Sequence, residues 1–79
     1  MSPTVLRWKG YRLYFFSREE TRRHIHVFCA DGEAKFWLEP EIDLASNHRL
    51  TEQQLGEIRQ VIEERKDEIV AAWHRHFPG

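Results

Sequence analysis

The chain has 79 residues, 41% of them apolar and 32% charged, with a net charge of −1. These values describe a small folded domain with a modest core and exclude a disordered chain or a strongly basic nucleic-acid binder. A single cysteine, Cys29, excludes an internal disulfide and a cysteine-rich zinc site.

No stretch is apolar enough for a signal core or a membrane span. The expectation is one domain over residues 1–79, cytoplasmic and away from any membrane. The charge is unevenly spread. Residues 1–38 hold seven Lys/Arg against four acids, and residues 39–79 hold five against nine. A basic half joined to an acidic half suggests a polar partner surface.

The first elements read as strands. Thr4 to Trp8 and Tyr11 to Phe16 are β-branched or aromatic and flank Lys9-Gly10, which predicts a hairpin pairing Trp8 with Tyr11, Leu6 with Leu13 and Val5 with Tyr14. That register sets Arg7 opposite Arg12, a like-charge pair that water or an anion must screen. SREETRR, from Ser17, reads as a polar loop. A second hairpin follows in HIHVFCA-DG-EAKFWL, with Asp31-Gly32 as a favoured type I′ turn pair.

Counting outward from Asp31-Gly32 places Ile25, Val27, Cys29, Ala34, Phe36 and Leu38 on one apolar face. His24, His26, Phe28, Lys35, Trp37 and Glu39 fall on the other. In this register His24 stands opposite Glu39 and His26 opposite Trp37, both histidines facing outward. Pro40 ends the strand, and EIDLASNHR reads as a polar connector.

Thr51 and Gln54 form a capping box, and Leu50 and Leu55 a hydrophobic staple. From there Leu55, Ile58, Ile62, Ile69, Val70, Trp73 and Phe77 fall within an arc of roughly 120°, which predicts one helix running to Pro78-Gly79. Gly56 would allow close backbone packing. A helix of about 26 residues is roughly 39 Å long, against about 30 Å for a compact domain of this size. It must therefore bend near Glu64–Lys66 or overhang the sheet, with Trp73 and Phe77 as a docking surface. The fold class is α+β: a small antiparallel sheet of about four strands with a long C-terminal helix, bent or overhanging, on one face.

The open face carries the candidate chemistry. His24 and His26, spaced i, i+2 on a strand, sit side by side. As a metal pair they need a third ligand, for which Glu39 or His48 is the candidate; no metal or cofactor is assigned. As catalytic groups they fit metal-independent RNA cleavage, with Glu39 orienting His24 and with Arg22, Arg23, Lys35 and Arg12 holding phosphate. As a contact surface, Arg12, Arg22, Arg23, Phe28, Lys35 and Trp37, joined by Tyr14 and Phe16, suit a protein partner, a second copy of the chain or RNA. The bland reading is a solvated strand face.

The blocks PTVLRWKGYRLYFFS, HIHV, DGEAKFWLEPEIDLA and EIVAAWHRHF resemble a small bacterial family, domain of unknown function DUF4160. Members commonly have two prolines before the first histidine, where this chain has Arg22 and Arg23. The resemblance implies a gene neighbour encoding another small protein, a toxin–antitoxin-type pair, and no known catalytic residues. The reading is therefore a component of a two-gene module that binds a small partner protein, with a ribonuclease using His24 and His26 and a homodimeric nucleic-acid-binding module as alternatives.

Overall fold

The computed structural model describes residues 4–16 and 22–77. Five strands form one antiparallel meander in the order β1 (Thr4–Trp8), β2 (Tyr11–Tyr14), β3 (His24–Cys29), β4 (Gly32–Trp37) and β5 (Asp43–His48). Two helices follow, α1 (Glu52–Glu64) and α2 (Lys66–His76). The α+β class stands, but the sheet has five strands and the helix is two.

The first hairpin turns where the sequence says it should. Lys9 and Gly10 both have positive φ, 48° and 82°, as a type I′ turn requires. Trp8 pairs with Tyr11, Leu6 with Leu13 and Arg7 with Arg12. The expected Val5–Tyr14 pair is replaced by Thr4–Tyr14, because a bulge intervenes between Thr4 and Leu6. Most of the loop expected after β2 lies outside the described residues.

The second hairpin is displaced by two residues. Cys29 pairs with Gly32, Val27 with Ala34, His26 with Lys35 and His24 with Trp37, so Ala30 and Asp31 form the turn. A shift of two preserves which face each side chain occupies but changes every partner. Gly32 lies inside β4 for a reason outside the turn: a Cβ there would sit 2.2 Å from the His48 carbonyl oxygen of β5.

β5 occupies the stretch expected to be a connector. It pairs with β4 through Glu33–His48, Lys35–Ser46 and Phe36–Leu44, with a bulge between Lys35 and Phe36. As an edge strand it buries little of itself, so its polar sequence costs nothing. Asn47 closes the corner into α1, its Nδ2 donating to the Leu50 carbonyl while its Oδ1 accepts from the Leu50 N–H, both at 3.0 Å.

The capping box forms as expected. Gln54 N–H donates to Thr51 Oγ1 at 3.1 Å, and Thr51 N–H donates to Gln54 Oε1 at 2.9 Å. The Gln54 amide also reaches the Asp31 carboxylate at 3.0 Å, tying α1 to the β3–β4 turn.

The helical run breaks at Arg65 (φ −110°, ψ 18°). Its N–H still reaches the Val61 carbonyl, and its own carbonyl still accepts from Ile69, so the break is a kink. Each side buries its own apolar stripe: Ile58, Val61 and Ile62 on α1, Ile69 and Trp73 on α2.

These stripes join Leu6, Leu13, Phe15, Ile25, Val27, Ala34, Phe36 and Leu38 in one core. Each fully buried Ile or Leu contributes about 1.5–3 kcal/mol. The kink falls within Glu64–Lys66, where a bend was one of the two expectations, and it removes the other, an overhang. The longest dimension is 35 Å and the radius of gyration 11.6 Å, the value that size scaling gives for a compact chain of this length. Trp73 is 3% exposed and packs in the core, and Phe77 packs half-buried against it, so Trp73 offers no surface for docking. Gly56 is exposed, and nothing lies within 4 Å of the point a Cβ would occupy, so it serves no close packing.

Candidate functional site on the open sheet face

The helices cover one face of the sheet. Strand alternation sends Arg12 and Tyr14 of β2, His26 and Phe28 of β3, and Glu33, Lys35 and Trp37 of β4 to the other. Cross-strand pairing lines these up. Tyr14, His26, Lys35 and Ser46 form one row, and Arg12, Phe28, Glu33 and His48 the next. Phe16 and Phe28 are 61% and 50% exposed, the two large apolar side chains left to solvent among the described residues.

Aromatic rings and cations alternate on this face. The Arg12 guanidinium lies 4.6 Å from the Tyr14 ring centroid, and its Nε donates to Thr4 Oγ1 at 2.7 Å. These contacts give the Arg12 guanidinium a ring and a hydroxyl, while Arg7 stays opposite it across the β1–β2 ladder. The His26 ring stacks on Tyr14 at 5.4 Å and meets Phe16 edge-on at 6.0 Å. Arg22 and Lys35 both lie over Trp37, at 4.2 and 4.6 Å. Such contacts are worth about 0.5–1 kcal/mol each when exposed.

A shallow groove of about 560 Å³ runs between Tyr14, Phe16 and His26 on one side and Ser46 and His48 on the other, floored by Lys35 and Glu33. Burial raises the Tyr14 phenol pKa above its ordinary value; the Glu33 carboxylate raises it further and Arg12 opposes.

The two histidines are separated by the fold. His26 lines the groove, whereas His24 is fully buried. Its phase along β3 points to the open face, as expected. At this end of the sheet, however, Trp73 of α2 comes within 5.1 Å of its ring, with Trp37 at 5.9 Å and His26 at 5.5 Å. His24 Nδ1–H donates to the Arg22 carbonyl at 2.8 Å, and Nε2 is buried without a hydrogen-bond partner among the described residues.

Glu39 does not orient His24. Its carboxylate accepts from Arg23 Nε at 2.5 Å, and its carbonyl accepts from Arg22 Nε at 2.8 Å. Arg23 also reaches His74 Nε2 of α2 at 3.2 Å, so it braces the sheet end against the helix rather than lining the open face. Among the described residues, no group of three or more His, Cys, Asp or Glu is placed to hold a metal ion.

The structure thus gathers Arg12, Arg22, Phe28, Lys35, Trp37 and His26 on one surface and withdraws His24, Glu39, Arg23 and Trp73 from it. Ser46, which lines the groove from β5, was not among the expected surface residues, and His48 beside it was expected only as a third metal ligand. The signal for them was faint: Ile42 and Leu44, two residues apart after Pro40, are the only alternation in that stretch.

A family described as Domain of unknown function (DUF4160) matches residues 10–74. Searches of curated proteins and of solved structures returned no match.

Proposed function

Because this chain belongs to the family Domain of unknown function (DUF4160), whose description leaves the activity open, we propose that it works by docking a small partner protein on its open sheet face. The observation that carries the reading is the pair of phenylalanines, Phe16 and Phe28, each at least half exposed beside the row of rings and cations. Aromatic residues and arginine are the side chains that protein interfaces enrich, and they supply most of the binding energy where they enter a partner's pockets.

The dimensions agree. Five strands spaced about 4.8 Å apart and about 20 Å long make a face of roughly 500 Å² in projection. That is the order of what one partner contributes to a standard interface, about 800 Å² of accessible surface. Both sheet edges are bulged, at Thr4/Leu6 and at Lys35/Phe36, which disfavours strand addition and leaves the face as the surface to use.

The partner, in this proposal, is the small protein encoded beside the chain, and the two form a toxin–antitoxin-type module. Co-expression followed by size-exclusion chromatography tests it. Co-elution that is lost on Phe28→Asp is expected; separate elution of the wild-type proteins at micromolar concentration defeats the proposal.

A further inference from the structure

The register of the open face is self-complementary. Arg12, Phe28 and Glu33 stand side by side in one cross-strand row, on β2, β3 and β4. β3 is the middle strand of the sheet, so Phe28 sits midway across the face with a cation on one flank and an acid on the other. Glu33 makes no ion pair among the described residues. Its cross-strand neighbours are Phe28 and His48, and neither carries the permanent charge of an arginine or lysine.

A half-turn about an axis along β3, just above the sheet, keeps each row level and exchanges β2 with β4. It sets Arg12 of each copy over Glu33 of the other, and Phe28 over Phe28. Further along the strands, Phe16 follows Tyr14 out of β2 beside His26, and Trp37 pairs with His24 on the β4 side. The same half-turn brings Phe16 to the level of Trp37. One operation thus covers both exposed phenylalanines and gives Glu33 a cation.

Aligned sheets stack about 10 Å apart, a gap that an arginine and a glutamate reaching toward each other span. The pairing leaves Arg12 its Tyr14 ring and its Thr4 hydroxyl, because a guanidinium donates to several acceptors at once. Two faces of roughly 500 Å² in projection make about 1,000 Å², the size at which a specific interface begins.

We propose that the chain, without its partner, closes its open face on a second copy about this twofold axis, with the two Phe28 rings at the centre. The inference rests on the open face being a docking surface and names the occupant it takes before the neighbouring gene's product displaces it. The contact is isologous, so every pairing in it occurs twice. A row that holds both signs suits a second copy better than a nucleic-acid backbone, which would run against Glu33.

Sedimentation equilibrium tests it on the protein alone, on Arg12→Glu, on Glu33→Arg and on an equimolar mixture of those two variants. Wild type should dimerise at micromolar concentration. Each single reversal sets like charges face to face and should weaken the dimer by about tenfold or more. In the mixture every such contact joins opposite charges again, so the two variants should associate with each other at close to wild-type affinity. That rescue requires position 12 of one copy to face position 33 of another. Phe28→Ser, which alters no charge, should also weaken the dimer, and it carries the test if Arg12→Glu does not fold.

A wild-type protein that stays monomeric up to about 100 micromolar overturns the proposal. So does a mixture no more associated than its components, or wild-type affinity in Phe28→Ser. None of these results touches the docking reading, which is decided by co-elution with the neighbouring product. Where that product binds, it should dissociate the dimer. A complex that retains the Glu33-dependent dimer supports the twofold contact and removes the product from this face.

Discussion

A methyl group at Gly32 and a methyl group at Gly56 meet opposite surroundings. At Gly32 it would lie 2.2 Å from the His48 carbonyl oxygen and 3.1 Å from Arg49 Cβ, and β5 cannot withdraw without loosening its ladder to β4. Gly32→Ala should therefore cost about 1–3 kcal/mol, as other overpacked sites do, seen as a lower urea midpoint. At Gly56 there is only open space, and Gly56→Ala should add about 1 kcal/mol. The two histidines divide similarly. His24→Ala removes a fully buried ring from between two tryptophans and should cost about 2–4 kcal/mol. His26 lines an open groove, and His26→Ala should cost less than about 1 kcal/mol. Equal losses in thermal denaturation of the two variants would contradict this separation.

At the scale of elements, β2 holds both tyrosines of the chain, Tyr11 and Tyr14. Burial is the main cause that raises both phenol pKa values, with further increments from Cys29 and Glu57 at Tyr11 and from Glu33 at Tyr14. A raised folded value means that the fold prefers the neutral phenol. The resulting stability is complete below the unfolded value of about 10 and is lost as pH rises through the folded values. Phenolate absorbance should thus appear later in the folded protein than in urea; half of it present by pH 10 in the folded state would refute this. Element identity was legible where periodicity is local. The faces of β3 and β4, the capping box and the apolar arc all follow from spacing alone. The β3–β4 partners did not, because the position of Gly32 is set by a β5 carbonyl remote in sequence, and turn chemistry sees only its neighbours. β5 itself was missed because an edge strand is held by backbone hydrogen bonds and buries few side chains. The burial of His24 depends on Trp73, from the other end of the chain, which no strand pattern contains.

For the molecule as a whole, the two-layer build separates stability from binding. Among the described residues, every fully buried side chain but His24 is apolar and belongs to the single core between sheet and helices, whereas the exposed phenylalanines and the cations over Tyr14 and Trp37 lie on the far side of the sheet. Substitutions on the two sides should therefore differ in kind. Ile62→Ala, in the core, should cost about 2–5 kcal/mol and reduce partner binding only through the unfolded fraction. Phe28→Ser, on the open face, should change stability by no more than about 0.5 kcal/mol, because half of its ring is already in water. If the open face docks a partner, the same substitution should weaken that complex by about tenfold or more, as loss of an aromatic anchor does. The pair of measurements is decisive because they move independently. A Phe28→Ser protein that melts like wild type but elutes without its partner is the expected result. One that melts early would mean that the open face is part of the folded core's support, and one that binds normally would place the interface elsewhere.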